Sequence, residues 1–571
     1  MDAKPAKIAD VFQQETLLRI PYFQRHYVWG EEEWERFAND MASTLDADVK
    51  KYFLGALILK EENNADAGID KYLVIDGQQR LTTLSIYMKV LCMLAEKRDK
   101  FSNQFLQDNG PKDPIIIHSY EDIAQYRKIM HLEKLESLDD NSNMAKAYEY
   151  FRTVLTTQKP DYLNLYNTIK KVRFIRIILD KDDDEQQIFD TINSLGVPLT
   201  TAELMKNFLY EANDEQAYKN DWRPMFDADN VKDFWDAAAA SDKQSKSKDN
   251  ITIERFFHAF VRIKMWDYKD DDKLTPVRKK NFVKLENVFS TCKAFVEVFK
   301  MEKQDLAKEI VEYAALFKEH LNPEILDSKI PKSGIERISC LVNATKSYSV
   351  IPYVLYILRH VADLQERNRI FDCLEAYLVR RILTGASNNN YSDMFSENLI
   401  GSGIKTYAGL KAYYESRGNA ATAMPSDNNI KMALQVRPIS EASARLVYYL
   451  YETKTNTNLD GFSNYYAGLF MPKPGKMADK KWPPLPNKDD EDVRKGFINT
   501  LGNYFLFDAE EKTIKKSINQ DFTTKLALQK DWSTGINISK NHLDNCKNWD
   551  SDAICKRNEI LARGICTIWK L

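Results

Sequence analysis

The chain has 571 residues, well beyond the ~250 to 300 at which a single hydrophobic core stops growing, so two or three domains are expected. Hydrophobic residues make up 44% of the chain and charged residues 29%, which excludes a wholly disordered protein. Lys and Arg total 81 against 84 Asp and Glu, a net charge of −3, so the overall basic charge of a simple DNA-coating protein is absent. No apolar stretch reaches the ~20 residues that cross a bilayer, and no signal peptide is recognisable. We therefore expect a cytoplasmic protein without a membrane segment.

Residues 1–212 predict a mixed α/β domain, because short β-branched or aromatic runs alternate with stretches of helical period. The predicted strands are residues 52–59, 72–75 and 172–179. A helix is predicted over Gln78–Lys97, where the apolar residues recur at spacings of three and four and so share one face; they are Leu81, Leu84, Met88, Leu91 and Ala95.

Residues 213–400 predict a mainly helical middle domain, with a mobile polar loop at 241–250. Its predicted helices lie near Ile251–Trp266, Asn281–Phe299, Lys308–His320 and Val350–Leu383. Residues 401–571 predict a loop-rich, mostly helical third domain, because segments rich in Pro, Gly, Asn and Lys interrupt it. The fold class expected for the whole chain is therefore α+β.

The turn between the predicted strand at 72–75 and the long helix reads Asp76-Gly77-Gln78-Gln79-Arg80. Asp76 can cap the helix, and Gly77 lets the backbone approach a ligand closely. Arg80 is a cation in the first helical turn, where the helix dipole favours an anion, so a phosphate can bind there and Asp76 can hold a divalent cation. The equally weighted alternative is a capped helix in which Arg80 pairs with Asp76 or another carboxylate.

A second cluster, residues 20–29, sets Gln24, Arg25 and His26 among the rings of Tyr22, Phe23, Tyr27 and Trp29. Planar rings beside amide and guanidinium groups can stack on a base and read its edge. Aromatic residues at this density are nevertheless more often part of a core.

The third motif covers residues 187–207 and has a largely structural interpretation. Gly196 is expected to end a helix, Pro198 to prevent its continuation, and Thr200 with Glu203 to form a capping box for the next helix. Three polar residues are left without a structural explanation: Asn193, Lys206 and Asn207.

Together these segments resemble the N-terminal domain of the GmrSD family of modification-dependent restriction proteins. The resemblance rests on four stretches in the family's order: Pro-Tyr-x-Gln-Arg-x-Tyr-x-Trp from residue 21, Phe-Leu-Gly from 53, Asp-Gly-Gln-Gln-Arg-Leu-Thr-Thr-Leu from 76, and Asn-x-x-Gly-x-Pro-Leu-Thr-x-x-Glu-Leu-x-Lys-Asn from 193. It implies a fold like that of ParB and sulfiredoxin, and binding and hydrolysis of a nucleoside triphosphate, GTP or ATP, with Mg²⁺. Glu203 stands where the family more often has Asp.

The resemblance assigns six residues to the nucleotide or DNA-sensing pocket: Gln24, Arg25, Asp76, Gln78, Gln79 and Arg80. Among these we predict that Asp76, Gln78, Gln79 and Arg80 are catalytic and that Asp76 is the Mg²⁺ ligand. The other predicted nucleotide- or DNA-sensing residues are Tyr27, Trp29, Asn193, Lys206 and Asn207.

The C-terminal third resembles the family's HNH-type nuclease domain at residues 377–385, 501–503, 519–525 and 549–569. The family's signature there is Glu-His-Ile-x-Pro, whose His is the general base that activates water beside a metal-bound phosphate. In this chain the corresponding stretch is 468–472, so Leu469 stands in place of the base. The expected metal-side Asn is also missing from residues 508–515. The predicted degenerate site therefore consists of Leu469, Pro472, Asn503, Asn519 and Lys525.

The function expected from this pattern is an NTP-binding and NTP-hydrolysing sensor in an antiphage restriction system. Its C-terminal domain would bind DNA or a partner. The expected partners are modified phage DNA and a separate nuclease subunit, with self-association left open. Two alternatives remain: the chain is itself a metal-dependent DNA endonuclease, or it is a non-enzymatic regulator or scaffold that binds nucleotide without turnover.

Overall fold

A computed structural model describes residues 2–22, 24–62, 70–107, 113–179, 200–210, 214–237, 251–418, 421–456, 458–472, 497–517, 520–544 and 546–570. By its internal contacts the chain divides into two compact units, residues 1–233 and 234–571. Helix and sheet are both present, as the predicted α+β class requires. The threefold division at residues 212 and 400 stays a prediction, as do the ParB-like and HNH-type architectures.

The N-terminal unit is built around a sheet whose strands are β1 (Asp2–Lys7), β2 (Thr16–Arg19), β3 (Tyr52–Glu61), β4 (Asp70–Asp76), β5 (Ile116–Ile117) and β6 (Val172–Leu179). The three predicted strands are confirmed as β3, β4 and β6. The other strands were not predicted, because β5 has two residues and β1 carries Pro5 between short and charged side chains that lack the β-branched signal.

The strand order is β1-β6-β3-β4-β2-β5, so the sheet is mixed. Strand β3 pairs in parallel with β6 and antiparallel with β4, which places Ile58 opposite both Ile177 and Asp76. The pairing of β3 with β6 shifts register between Phe53 and Gly55. This irregularity lies beside the turn at the end of β4 and changes the local course of β3 there.

Helices contribute buried side chains to a core on one face of the sheet. They are α1 (Ile8–Val11), α2 (Glu31–Ser43), α3 (Gln78–Leu94), α4 (Arg98–Phe105), α5 (Tyr120–Met130), α6 (Asn143–Gln158) and α7 (Tyr162–Thr168). The unit also contains α8 (Thr201–Leu209) and α9 (Glu215–Ala217), which a π-helical segment, Tyr218–Asp227, continues. The boundary between the units falls within α10 (Asp229–Asp236).

The main core of the N-terminal unit lies between the sheet and helices α1 to α7. Leu57, Leu59 and Val74 of the sheet belong to it, together with the apolar side chains along α3, most of whose residues are buried. A smaller apolar cluster on the other face contains Ile58, Ile75 and Leu179. Since α3 is buried almost all round, its N-terminus is held rigidly against the end of β4.

The C-terminal unit is mainly helical. Its helices are α11 (Thr252–Lys264), α12 (Pro276–Phe282), α13 (Val288–Glu297), α14 (Lys303–His320), α15 (Ile335–Thr345), α16 (Ile351–His360), α17 (Leu364–Thr384), α18 (Tyr391–Asp393), α19 (Tyr407–Ser416), α20 (Asp427–Val436), α21 (Glu441–Glu452), α22 (Glu511–Lys516), α23 (Phe522–Trp532), α24 (Asn537–Asp544) and α25 (Ser551–Ile568). A π-helical segment, Met394–Ile400, follows α18.

Two of the predicted helices in this unit are wrong in their extent. The predicted helix 350–383 is broken into α16 and α17, because Asp363 caps α17 by accepting a hydrogen bond from the Gln365 N–H. The predicted helix 281–299 is interrupted between α12 and α13 by a short 3₁₀ turn, Leu285–Asn287. The predicted loop 241–250 lies outside the described residues.

A two-stranded antiparallel sheet also belongs to the C-terminal unit. It pairs β7 (Tyr466–Leu469) with β8 (Tyr504–Phe507), with Leu469 opposite Tyr504. An aromatic core that includes Phe470, Phe505 and Trp549 packs against it. In the described part of the chain, no helix has both the length and the apolar character needed to span a membrane.

Candidate functional site

The turn from β4 into α3 is made by Gly77. Its φ is +102°, a left-handed conformation that favours glycine, and a Cβ there would lie 3.0 Å from Leu57 Cδ1. Gly77 is also the N-cap residue of α3, and it offers no side-chain acceptor to the helix. The expectation that Asp76 caps this helix is therefore wrong, since the left-handed glycine stands between Asp76 and the first turn.

Asp76 instead binds Arg80. One guanidinium nitrogen of Arg80 donates to Asp76 Oδ2 at 2.7 Å, and the two side chains are 24% and 20% exposed. This ion pair is the contact that the purely structural alternative requires. Because both groups remain partly exposed, a ligand from solvent can still reach them.

The backbone of β3 lies directly beneath the Arg80 guanidinium. Gly55 has a φ of +130°, and a Cβ at this position would lie 2.3 Å from Arg80 Nη1 and 3.2 Å from its Cζ. Any side chain at 55 would therefore displace the Arg80 head group. This close approach explains why the Phe-Leu-Gly motif ends in glycine.

The first turn of α3 presents backbone donors. Within the described residues, nothing accepts a hydrogen bond from the backbone N–H of Gln78, Gln79 or Arg80. Unsatisfied N–H groups and the positive end of the helix dipole favour an anion at this point. The arrangement is therefore chemically suited to a phosphate or another anion.

The two glutamines of the motif face the segment that precedes α2. Gln78 Nε2 donates to the Arg25 carbonyl at 3.2 Å, and Gln79 Nε2 donates to the His26 carbonyl at 2.9 Å. Gln79 Oε1 accepts the Val28 N–H at 3.0 Å. The structure thus joins the residue 76–80 motif to the residue 20–29 motif.

Three further predicted residues in this segment are partly or fully buried. Gln24 is 4% exposed, and its Nε2 donates to the Val74 and Ile75 carbonyls at 2.7 and 3.1 Å. The Tyr27 hydroxyl lies 2.6 Å from Thr83 Oγ1 and accepts from Trp34 Nε1 at 2.9 Å. Trp29 is partly buried against the main core of the unit. These contacts hold the segment in place, and the backbone of the partly exposed Arg25 lies next to Gln78 of α3.

A buried histidine next to this segment was not predicted. The His118 ring lies 3.2 Å from Thr82 Oγ1 of α3, and its Nδ1 is 4.0 Å from Asp122 Oδ2. Burial, and secondarily the charge of His26, lower the pKa of His118 to about 3, so the ring is neutral at physiological pH. The sequence carries no motif that marks this residue, because its contact with Thr82 joins positions 36 residues apart.

The described residues of the 187–207 motif form a helix cap and a buried ion pair in the N-terminal unit. The capping box is confirmed: the Thr200 hydroxyl accepts from the Glu203 N–H, and the Glu203 carboxylate accepts from the Thr200 N–H. Lys206 is buried and donates to Asp227 Oδ2 at 2.9 Å, beside the Tyr218 ring. Asn207 follows it on α8 and is partly buried, whereas Asn193 lies outside the described residues.

The predicted degenerate nuclease site occupies the small sheet of the C-terminal unit and its surroundings. Leu469 ends β7 and packs against the aromatic core, followed by Pro472, which is buried. Asn503 is fully buried: its amide donates to the Met471 and Ile498 carbonyls at 2.9 Å each, and it accepts from the Met471 N–H and Trp549 Nε1. Lys525 is buried on α23, and Asn519 lies outside the described residues.

The described residues contain no group of three or more His, Cys, Asp or Glu side chains arranged to hold a metal ion. Mg²⁺ commonly takes only one or two carboxylates from a protein, with water and phosphate oxygens as its other ligands. Asp76 as the Mg²⁺ ligand therefore stays a prediction.

Comparison with known proteins adds a family match to this geometry. No curated protein resembles the chain closely enough to be matched. Residues 8–210 match the family model described as "GmrSD restriction endonuclease, N-terminal domain". That range contains the Asp76–Arg80 turn, the segment that carries Arg25, and the Thr200–Glu203 capping box. The N-terminal part of this chain is therefore similar to the GmrSD N-terminal domain.

Proposed function

We propose that this chain is the nucleotide-binding and nucleotide-hydrolysing sensor of a modification-dependent restriction system. The observation that carries the proposal is the meeting of three features at one turn: uncapped N–H groups at the start of α3, the Arg80–Asp76 ion pair, and the Arg25 segment. The similarity of residues 8–210 to a restriction endonuclease domain supports the same conclusion.

The residues present fit a triphosphate with Mg²⁺. The first-turn N–H groups of α3 would donate to phosphate oxygens, and the Arg80 guanidinium would neutralise their charge. Asp76 would hold the Mg²⁺, which supplies charge neutralisation between neighbouring phosphates. Since Asp76 and Arg80 are each about a fifth to a quarter exposed, their ion pair can be exchanged for these contacts.

The ion pair therefore has a specific role in the proposal. Without ligand, Arg80 and Asp76 satisfy each other, so neither charge is left uncompensated at the turn. When the ligand binds, Arg80 would bind the phosphate in place of Asp76, and Asp76 would bind the metal in place of Arg80. A scaffold that binds nucleotide without turnover would use the same contacts, so hydrolysis is the property that separates the two functions.

Substitution of the ion pair tests the proposal. We expect Asp76→Ala to abolish hydrolysis of GTP and ATP, and Arg80→Ala to lower kcat by ~10²-fold or more, because a donor to the developing charge is lost. The measurement is phosphate release by the full chain with Mg²⁺, with and without modified phage DNA. If both variants hydrolyse nucleotide as fast as the wild type, the turn is not the catalytic site.

A matched ion pair in the same unit serves as the control. Arg152 donates to Glu149 on α6, and their side chains are 28% and 25% exposed, close to the values for Arg80 and Asp76. Arg152→Ala and Glu149→Gln should leave hydrolysis within a factor of two. A loss of activity in these controls would mean that any surface ion pair of this unit affects turnover through stability.

We further propose that residues 401–571 bind DNA or a partner and that a separate nuclease subunit cuts the DNA. Leu469 cannot accept a proton, and Asn503 is fully occupied in holding Met471, Ile498 and Trp549. Losing a general base costs ~10² to 10⁴ in rate. Nicking of modified DNA by the purified chain with Mg²⁺ or Mn²⁺ would overturn this part of the proposal and favour the endonuclease alternative.

A further inference from the structure

Residues 24–28 form neither a helix nor a strand, yet side chains from several elements hold their backbone. Gln78 and Gln79 of α3 bind the carbonyls of Arg25 and His26, and Gln79 also binds the Val28 N–H. From two other helices, Asp122 Oδ2 of α5 accepts the Tyr27 N–H at 2.8 Å, and Asn143 Nδ2 of α6 donates to the Tyr27 carbonyl at 3.4 Å. A segment held this completely has a fixed conformation, although it has no secondary structure of its own.

Gln79 makes the central pair of these contacts. Its amide bridges His26 and Val28 by donating to one carbonyl and accepting from one N–H, at 2.9 and 3.0 Å. The side chain is 7% exposed. The amide is thus directed at the protein backbone, and it is poorly placed to contact a ligand at the surface of the turn.

Arg25 is the cationic residue that directly precedes this bridge. Its carbonyl is tied to Gln78, the first residue of α3, and the next carbonyl, that of His26, is tied to Gln79. The chain at Arg25 therefore runs alongside the uncapped first turn of the helix. Loosening of residues 26–28 would remove contacts that help to keep the chain at Arg25 next to that turn.

We infer that Gln79 is a positioning residue, which acts on a bound triphosphate only through residues 25–28 by keeping Arg25 beside the first turn of α3. This inference rests on the proposed function. It differs from the expectation that all four polar residues of the motif are catalytic, because it gives Gln79 no contact with the reacting atoms.

The chemistry of the bridge explains why the residue is glutamine. A carboxylate at 79 could accept the Val28 N–H, but it would set a negative oxygen against the His26 carbonyl. A side chain of the same length without polar atoms would leave one donor and one acceptor unpaired. Only an amide with this reach satisfies both backbone groups.

A double-mutant cycle tests the inference on the full chain. We expect Arg25→Ala and Gln79→Ala each to weaken binding of GTP with Mg²⁺ by about tenfold, which is the loss of one charge-assisted contact. Because both changes remove the same contact, Gln79→Ala should add less than a further twofold in the Arg25→Ala background. Full additivity of the two effects would overturn the positioning role and show that Gln79 acts independently of Arg25.

Amide hydrogen exchange supplies a readout that does not depend on nucleotide. In Gln79→Ala the Val28 N–H should lose its protection, while the Tyr27 N–H, held by Asp122, should keep most of its own. Unchanged protection of Val28 would contradict the inference. If Gln79→Ala does not fold, Gln79→Glu keeps the acceptor for Val28 and loses the donor to His26, and it enters the same cycle with the same expected non-additivity.

Two comparisons separate this inference from the proposed function. A wild-type chain that binds neither GTP nor ATP would overturn both, whereas binding with additive effects would overturn the positioning role alone. Gln125→Ala is the matched control, because Gln125 is a partly buried glutamine on α5 whose amide binds Asp140. The control should bind GTP as the wild type does, and an equal loss in the control would mean that the effect of Gln79→Ala is one of general stability.

Discussion

Gly55 and Arg80 depend on each other at the scale of single residues. The left-handed backbone at Gly55 and the irregular pairing of β3 bring the chain so close to Arg80 that no Cβ fits beneath the guanidinium. The glycine is therefore needed for two reasons, its φ of +130° and the missing side chain. The Arg80 guanidinium in turn lies close to the Gly55 backbone and donates to Asp76.

Substitution of Gly55 should move Arg80. We expect Gly55→Ala to destabilise the N-terminal unit by about 1 to 3 kcal/mol, through backbone strain and the clash with the guanidinium, and to lower nucleotide hydrolysis. Chemical denaturation measures the first effect. In Gly55→Ala/Arg80→Ala the clash is absent and only the backbone strain remains, so the double variant should be more stable than the sum of the single changes predicts. Strict additivity would mean that the guanidinium does not lie over residue 55.

The buried side chain of Lys525 leads to a prediction about how stability depends on pH. Burial lowers its pKa to about 7, far below the ~10.4 of an exposed lysine. The unfolded chain therefore binds more protons than the folded one between these two values, so the free energy of unfolding contributed by this group rises with pH across that window. Lys525→Met should remove the rise.

Urea unfolding at pH values of about 6, 8 and 10 measures the contribution of Lys525 as the difference between the wild type and Lys525→Met. The variant should gain most over the wild type at the lowest pH. Lys512→Met is the control, because Lys512 is exposed on α22 and should show no pH-dependent difference. A difference for Lys525→Met that stays constant with pH would contradict the lowered pKa.

At the scale of secondary-structure elements, the sequence correctly predicts the strands, helices and caps that depend on neighbouring residues alone. Strands β3, β4 and β6 and helix α3 are long and strongly patterned, and the structure contains all of them. The Thr200–Glu203 capping box is equally local, since both partners lie within one turn. These features need no knowledge of distant residues.

The wrong predictions of helix caps and helix boundaries involve side chains that have more than one possible partner nearby in the sequence. Asp76 could cap α3 or pair with Arg80. Because the left-handed Gly77 is the N-cap residue, Asp76 pairs with Arg80. Asp363 reads as one polar residue in a continuous helical pattern, yet it starts a new helix. Local propensity cannot separate such alternatives, because their free energies differ by about 1 kcal/mol.

The sequence identifies the residues of the candidate site but not the contacts between them, because those contacts also depend on distant parts of the chain. Its residues were found by their motifs, but the pairing of Gln79 with residues 26–28 links parts of the chain 51 to 53 residues apart. The contribution of His118 is also non-local, since Thr82 is 36 residues away. A single sequence contains no signal for such contacts, so a glutamine that holds backbone and a glutamine that binds ligand look alike.

At the scale of the whole molecule, a buried charge network links distant parts of the C-terminal unit. The Arg337 guanidinium of α15 donates to both carboxylate oxygens of Glu375 at 2.7 Å, and Trp569, just after α25, donates to the same carboxylate at 2.9 Å. Lys454, shortly after α21, is 3.1 Å from Glu375. The side chains of Arg337 and Glu375 are 0% and 1% exposed. One carboxylate on α17 thus binds elements from both sides of residue 400.

The ionisation of Glu375 follows from this network. Burial alone would raise its pKa, but the charge and hydrogen bonds of Arg337, with the charge of Lys454 and the bond from Trp569, more than offset burial and lower it. A lowered pKa means that the stabilisation is present at neutral pH and is lost as the pH falls through the folded-state pKa.

Glu375→Gln tests whether the network makes residues 234–571 one cooperative unit. The change removes the negative charge from a site that retains two cations, so we expect a loss of about 3 to 5 kcal/mol in the free energy of unfolding. Hydrogen exchange should then accelerate together in α15, α17, α21 and α25. Glu312→Gln, which breaks the half-exposed pair with Arg359, is the control and should cost at most about 1 kcal/mol. If α15 and α17 lose protection while α21 and α25 keep it, the residues beyond 400 fold as a separate domain, as the composition of the sequence predicts, and the carboxylate only anchors them.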